Sequence, residues 1–117
     1  MQYLLAVYID EKAITSITAG EQVTLNRDSI GYDEELKRAG HYIASNALQP
    51  PQTAVTVRPR SGKFSTTDGP YAETKEHLGG FILIEARDMY EAIAIAAKVP
   101  VGQFGSIEVR PVYTIPQ

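Results

Sequence analysis

The residues of this chain best suited to proton transfer are Asp68, His41 and His77, because carboxylate and imidazole groups exchange protons in water. Asp68 begins the turn Asp-Gly-Pro-Tyr at 68–71, where a carboxylate at a cleft mouth would act as a general base or bind a cationic group. The alternative is structural, with the Asp68 side chain shaping the turn by accepting from a backbone amide two residues on. His77 is expected in an exposed turn and His41 beside the last carbonyls of a helix, unless either one lines a cleft.

A second group of side chains would bind a ligand rather than react with it. Arg58 and Arg60 match planar carboxylates and phosphates, so we expect them to hold an anionic ligand if their hairpin folds over a cleft. Three tyrosines would either place hydroxyl groups at the edge of an apolar pocket or pack at a dimer seam: Tyr8, Tyr42 and Tyr71. The span 36–67 holds five basic and no acidic residues, which indicates either an attractor for anions or a solvated hairpin tip.

Composition excludes several classes of function. The 117 residues suffice for one domain, 1–117. There are no cysteines and only two histidines, and the carboxylates at 33–35 are expected on a helix surface, so we expect no metal and no cofactor. The net charge of −3 and the absence of a long apolar run argue against nucleic acid and membrane as partners. With no basic segment typical of a signal peptide at the N-terminus, a cytoplasmic protein is expected.

The predicted elements alternate between strands and helices. Strands are predicted at 2–9, 41–48, 54–58, 63–67, 81–86 and 106–113. Thr18 and Glu21 have capping-box spacing for a helix that begins near Ala19 and stops at Gly40, and Asp88 caps a second helix. Residues 10–19 are predicted as a loop or short turn and 68–80 as a loop, with the glycines at 79 and 80 meeting a backbone requirement before the next strand.

This order of elements predicts a ferredoxin-like α+β sandwich, β-α-β-(inserted hairpin)-β-α-β, with the hairpin turn at Ser61 and Gly62. Two helices cover only one face of such a sheet. The strands 2–9 and 81–86 are apolar on both faces, so we expect a second copy to cover the other face. The prediction is a homodimer joined through the sheet, a dimeric α+β barrel that encloses a cleft.

The segment Thr66–Phe81 has the most distinctive sequence. Its Asp68-Gly69-Pro70-Tyr71 resembles the Asp-Gly-Pro-Phe signature of the DGPF group within the YCII-related family. Agreement in the same order comes from Tyr3-Leu4-Leu5, Leu48-Gln49-Pro50 and Val109-Arg110-Pro111-Val112, so the resemblance covers nearly the whole chain. It implies a bacterial protein with a ferredoxin-like α+β fold, usually dimeric.

The resemblance implies two kinds of function and leaves the choice open. YCII-like proteins with a His–Asp pair in a cleft have been proposed as enzymes acting on small organic molecules, here near Asp68. Since this chain has no nucleotide or metal motif, such an enzyme would be a cofactor-independent lyase or isomerase. The alternative is a non-catalytic ligand-binding or regulatory protein linked to an extracytoplasmic-function sigma factor. Apart from the resemblance, a purely structural dimer module is a third alternative. The family's helix histidine falls near Ser29, and this chain has no histidine in that helix, so the pair with Asp68 is not available.

Overall fold

Six strands and three helices alternate in the computed structural model, which describes residues 1–117. Their bounds are β1 Gln2–Asp10, α1 Glu11–Thr15, α2 Ala19–Arg38, β2 Tyr42–Ala47, β3 Val55–Arg60, β4 Lys63–Asp68, β5 Glu76–Glu85, α3 Met89–Ala96 and β6 Gly105–Pro111, with 3₁₀ turns at Pro51–Thr53 and Pro100–Phe104. Four strands form an antiparallel sheet in the order β2-β5-β1-β6, while β3 and β4 pair only with each other. This is the predicted ferredoxin-like fold with an inserted hairpin.

The helix boundaries follow from local capping. The Thr18 hydroxyl accepts from the Glu21 amide while the Glu21 carboxylate accepts from the Thr18 amide, so the predicted capping box is present. Gly40 lies just past the end of α2 at φ +81°, a left-handed conformation that favours glycine. Asp88 accepts from the Glu91 amide at 2.9 Å and starts α3. None of the helices has the length and apolar character that a membrane crossing requires.

Two elements differ from the sequence-based expectation. Residues 11–15 form a short helix rather than a loop, because the Asp10 carboxylate accepts a backbone amide of its first turn at 3.1 Å. Strand β5 begins at Glu76 rather than Phe81, because its first residues pair with the end of β1 across a local irregularity. The expectation of an exposed turn at His77 is therefore wrong: His77 lies within a strand and is half-buried.

The core lies between the helices and one face of the sheet. Its main side chains come from β1, β5, α2 and α3: Tyr3, Leu5, Ile82, Ile84, Tyr32, Leu36, Ala92 and Ile95. Leu5 and Ile84 are completely buried, and each such side chain stabilises the fold by about 1.5–3 kcal/mol. The Tyr32 hydroxyl donates to the Ile95 carbonyl at 2.6 Å, which joins α2 to α3. Burial, with a smaller contribution from the nearby Glu35 charge, raises the pKa of Tyr32 to about 12.

The opposite face of the sheet has no helix on it, and we call it the open face. Side chains alternate across a strand, so it carries the residues that lie between the buried ones. These are Leu4, Ala6 and Tyr8 of β1 and Leu78, Phe81 and Leu83 of β5, bordered by the polar Ser106, Glu108 and Arg110 of β6. The predicted second apolar face is therefore present. Since the molecule is only 18 Å thick along its shortest axis, the hairpin lies beside the sheet and leaves this face free.

The hairpin β3–β4 stands apart from the main sheet. Its turn residues Ser61 and Gly62 have φ values of 53° and 74°, the left-handed geometry of a tight two-residue connection, as predicted. Val55, Val57 and Phe64 on this hairpin are exposed. The hairpin therefore displays apolar side chains that nothing in the same chain covers.

Candidate functional site

The side of α2 that is directed at the sheet carries two neighbouring stripes of side chains. One stripe is apolar and buried, and consists of Leu25, Tyr32 and Leu36. The other lines a cavity with polar side chains at helical spacing: Gln22, Asn26, Ser29 and Asp33. Polar groups facing a sheet do not interlock with its apolar side chains as leucine or isoleucine would. The helix therefore lies over this part of the sheet without filling the space beneath it.

The sheet contributes small residues to the opposite wall of this cavity. Ala47 and Gly80 are paired across β2 and β5, and neither fills the space below α2. A Cβ atom on Gly80 would come within 2.7 Å of the Asn46 carbonyl oxygen, so the approach of β2 requires glycine there. The resulting cavity has a volume of about 530 Å³. Its remaining wall is largely apolar and includes Val7, Leu25, Ile82, Val99 and Val101.

A chain of hydrogen bonds ends at the carboxylate of Asp33. The Ser45 hydroxyl donates to Asp33 Oδ2 at 3.1 Å, and the Tyr42 hydroxyl lies 2.8 Å from Ser45 Oγ. Since the serine has one hydroxyl proton and gives it to Asp33, Tyr42 must donate to Ser45. Lys37 is engaged elsewhere: it binds Glu34 at 3.1 Å, a hydrogen bond that raises the Lys37 pKa, and lies over the Tyr42 ring. Asp33 itself has no basic side chain within ion-pair distance.

A smaller cavity of about 180 Å³ adjoins the first one. The two share wall residues, namely Ile9, Ile14, Leu48 and Gly79, and together we call them the helix-side cleft. The smaller cavity adds His77 and Glu11. The imidazole of His77 makes no hydrogen bond within the chain, and the Glu11 carboxylate accepts from Gln52 Nε2 at 2.7 Å. No three histidine, aspartate or glutamate side chains anywhere in the chain group as metal ligands would. The cleft thus combines apolar walls with one imidazole and two carboxylates.

The structure does not bring together the three residues predicted for proton transfer. Asp68 is exposed at the end of β4 and lines neither cavity. The turn bond suggested for its side chain is wrong, because the residue two positions on is Pro70, which has no N–H; the turn rests instead on Gly69, at φ +105°. His41 lies beside the last carbonyls of α2 as expected: its backbone N–H donates to the Leu36 carbonyl at 2.9 Å, while its Nδ1 donates to the Glu85 carbonyl at 2.8 Å and so ties the start of β2 to β5. Only His77 lies in the cleft.

The residues predicted to bind a ligand are also dispersed. Arg58 and Arg60 lie on the hairpin, where each guanidinium donates to an oxygen of the hairpin itself. Tyr71 is 83% exposed, and Tyr8 lies on the open face. Tyr42 is the one that adjoins the cleft, through its bond to Ser45. Within one chain, these side chains therefore form no common pocket.

The polar wall of the cleft was missed by sequence reasoning. Asp33 belongs to a run of three acidic residues and was expected on a helix surface, yet it lines the cavity. The signal that would have found it is the spacing of Gln22, Asn26, Ser29 and Asp33, which forms a helical stripe next to that of the buried residues of α2. A polar stripe that runs alongside an apolar one indicates a helix face directed at a cleft.

Comparison with known proteins identifies the family of this fold and cleft. The sequence matches the family model of the YCII-related domain over residues 1–116. It is also similar to an uncharacterised protein of Rhizobium meliloti (strain 1021), at 34% identity over 113 residues that cover 95% of this chain and 91% of the relative. The chain therefore belongs to the YCII family.

Proposed function

We propose that this YCII-family protein binds a small organic molecule in the helix-side cleft. The observation that carries the proposal is the polar stripe of α2 opposite Ala47 and Gly80, which leaves about 530 Å³ between a helix and the sheet it covers. Cavities of 300–1,000 Å³ with apolar walls and a few polar groups are typical of small-molecule sites. A helix laid on a sheet for stability alone would carry apolar side chains there, because each buried one stabilises the fold by about 1.5–3 kcal/mol.

If the bound molecule is also transformed, His77 is the residue that we propose as its acid or base. Its imidazole lies in the smaller cavity, is half-buried and has no partner in the chain. Proton transfer by one imidazole supports cofactor-independent lyase or isomerase chemistry. In that case His77→Gln should abolish turnover of a ligand while its binding persists. Unchanged turnover in the variant would assign the protein to ligand binding without catalysis by His77.

A fragment screen on the isotope-labelled protein tests binding. Fragments that bind should shift the backbone amide resonances of Ser29, Gly79 and Gly80 more than those of the hairpin. Ser29→Leu places an apolar side chain in the cavity and should abolish these shifts. The matched control is Val23→Leu, since Val23 is 66% exposed on the same helix and outside the cleft. Fragments that bind elsewhere, or that bind Ser29→Leu and the control alike, would contradict the proposal.

We also propose that two copies associate through the open face. Leu4, Phe81 and Leu83 form an apolar surface on the two central strands that no helix covers, while the edge strand β6 is polar. An uncovered surface of this kind favours association, because burial removes apolar area from water at about 25 cal/mol per Å². A face-to-face dimer would be self-complementary, with the same patch on both copies.

The hairpin gives a second reason to expect a homodimer. An isolated two-stranded hairpin is marginally stable in water, and this one exposes Val55, Val57 and Phe64. Because it lies beside the sheet, a second copy placed on the open face has unobstructed access to that face. We propose that the partner also covers the hairpin's apolar side chains.

Light scattering with size-exclusion chromatography tests the dimer. The protein should elute as a dimer at micromolar concentration, and Leu83→Glu should convert it to a folded monomer by placing a charge on the open face. Val23→Glu makes the same change in charge on the exposed side of α2 and should remain dimeric. A monomeric parent protein, or a dimer unaffected by Leu83→Glu, would contradict the proposal.

A further inference from the structure

The cleft carries acidic side chains and no lysine or arginine. The residues that line its larger cavity include one carboxylate, that of Asp33. The smaller cavity adds Glu11 and His77 and again no lysine or arginine. The basic residues that the sequence suggested for an anion, Arg58 and Arg60, lie on the hairpin and line neither cavity. A ligand in the cleft therefore meets negative charge.

Asp33 is arranged as an acceptor that still has capacity. Its Oδ2 accepts from Ser45, which in turn accepts from Tyr42, so a chain of two hydroxyl groups ends at this oxygen and holds the carboxylate in position. Its Oδ1 has no hydrogen-bond partner in the chain. The ammonium of Lys37 is bonded to Glu34 and lies over the Tyr42 ring, and its charge acts on Asp33 from beyond ion-pair distance. A half-buried carboxylate with a free oxygen and no directly bonded counter-ion provides a site for a positively charged donor.

The remaining surroundings of Asp33 define the rest of the ligand. Val7, Ile82 and Val99 offer apolar contacts, while Gln22, Asn26 and Ser29 line the polar wall. A metal ion is a poor match, since Asp33 belongs to no group of three or more carboxylate or imidazole ligands. An organic ammonium group joined to an apolar body matches both walls at once.

We infer that the helix-side cleft selects small amines with an apolar body, and that Asp33 binds the ammonium group. The inference rests on the proposed function, because it requires that the cleft bind a ligand at all. It adds the chemical class of the ligand and names Asp33 as the residue that discriminates amines from uncharged and anionic molecules. Asp33 acts here through direct contact, and Ser45 and Tyr42 hold it in position.

Three probes of nearly equal size isolate the charge: phenethylamine, phenethyl alcohol and hydrocinnamate. Binding of each is measured by titration of the Ser29 and Gly80 amide resonances up to millimolar concentration. The amine should bind about tenfold or more tightly than the alcohol, the size expected for a hydrogen bond to a charged group. The carboxylate should bind more weakly than the alcohol, since it would face Asp33 and Glu11.

Two variants assign the preference to one carboxylate. Asp33→Asn keeps the acceptor for Ser45 and removes the charge, so the amine should bind no better than the alcohol. Asp28→Asn removes one charge from an exposed position of the same helix, outside the cleft and away from Lys37, and should leave the preference intact. The ranking of the three probes on the parent protein is decisive even if a variant does not fold.

The outcomes separate the inference from the proposed function. Probes that bind with equal affinity, a preference for the carboxylate, or an amine preference that survives Asp33→Asn would overturn the inference and leave the cleft as a ligand site. If none of the three probes shifts the cleft resonances and the fragment screen gives no cleft binder, both the proposed function and the inference are wrong. An amine preference lost in Asp33→Asn and kept in Asp28→Asn would support both.

Discussion

The two halves of the interface between α2 and the sheet use the same helix and the same strands, yet one is a closed core and the other an open cleft. Beneath the C-terminal half, Tyr3 pairs with Ile84 and Leu5 with Ile82, and all four side chains are buried. The next inward pair along the sheet is Val7 with Gly80. In this pair Gly80 occupies the position on β5 that an isoleucine occupies in the two preceding pairs, and the packed core ends there.

The backbone alone therefore does not decide where a core stops. Leu36 belongs to the buried cluster together with Ile84, whereas Ser29, two turns earlier on α2, lines the cavity together with Gly80. Close packing requires side chains of matched volume on both elements. Where both partners are small or polar, the helix still spans the sheet, held by its packed half, and the space beneath it becomes available to a ligand.

The largest effect should come from truncating the closed half. Ile84→Ala should lower the free energy of unfolding by about 2–5 kcal/mol, because it removes a fully buried side chain and leaves a cavity. Ser29→Ala, on the same helix–sheet interface in the open half, should change it by less than about 0.5 kcal/mol. Urea unfolding followed by circular dichroism measures both. Equal losses in the two variants would contradict the division into core and cleft.

The bond between the two helices should give the next largest effect. Tyr32→Phe should cost about 1–3 kcal/mol at neutral pH, because it leaves the Ile95 carbonyl without its hydroxyl donor. Chemical unfolding at pH 7 measures the loss, with Tyr90→Phe as a control on an exposed tyrosine of α3. A loss no greater than that of the control would show that the bond does not stabilise the closed half.

The same tyrosine predicts a pH dependence with a defined sign. Its pKa is about 12 in the folded protein against an ordinary 10.0, so folding favours the protonated hydroxyl. The contribution of the protonated Tyr32 hydroxyl to the free energy of unfolding is complete below pH 10 and is lost as the pH rises towards 12. The unfolding free energy of the parent protein should therefore fall more steeply than that of Tyr32→Phe across this range. Parallel pH profiles would contradict the raised pKa.

On the solvent side of α2, Gly31→Ala should stabilise the protein by about 0.8–1 kcal/mol. Gly31 lies in the middle of the helix with nothing within 4 Å of an added Cβ, so alanine gains helix propensity without a clash. Thermal unfolding should show a higher midpoint, and ligand binding should be unchanged. A lower midpoint would indicate that this face of α2 is covered in the assembled protein.

The smallest effect on stability should come from filling the cleft, where Ser29→Leu should raise the unfolding free energy by about 0.5 kcal/mol through helix propensity and apolar burial. The same variant should lose ligand binding. Stability gained together with binding lost is the pattern expected when a site is kept open at a cost to packing. A destabilised variant would show that the space beneath α2 is too small for a side chain.

Much of the fold was predictable because its signals are local. Thr18 with Glu21, and Asp88 with Glu91, carry their own capping partners, and β1 is marked by a continuous run of apolar, β-forming residues. The start of β5 was not predictable in this way. Its first residues include the charged Glu76 and precede two glycines, and they become a strand only because β1 supplies partners across the sheet.

The cleft was harder to predict because its residues carry no local signature. Asp33 sits in an acidic run that resembles a solvated helix face, and its inward direction depends on where Leu36 and Tyr32 pack. The Asp68 motif was a candidate because its sequence is distinctive, but in the structure it forms a turn at the base of the hairpin. His77 was identified as a candidate from its chemistry, and its place in the cleft follows from the pairing of β5.

The most direct test of the central claim is a crystal structure of the protein soaked with a bromine-labelled phenethylamine, with the bromine located by anomalous scattering. We expect one dominant bromine peak in the helix-side cleft, beside the polar stripe of α2 and near Val7 and Ile82, with the amine nitrogen at hydrogen-bond distance from the Asp33 carboxylate. A dominant peak on the open face or the hairpin, or a cleft closed by repacked side chains, would contradict it.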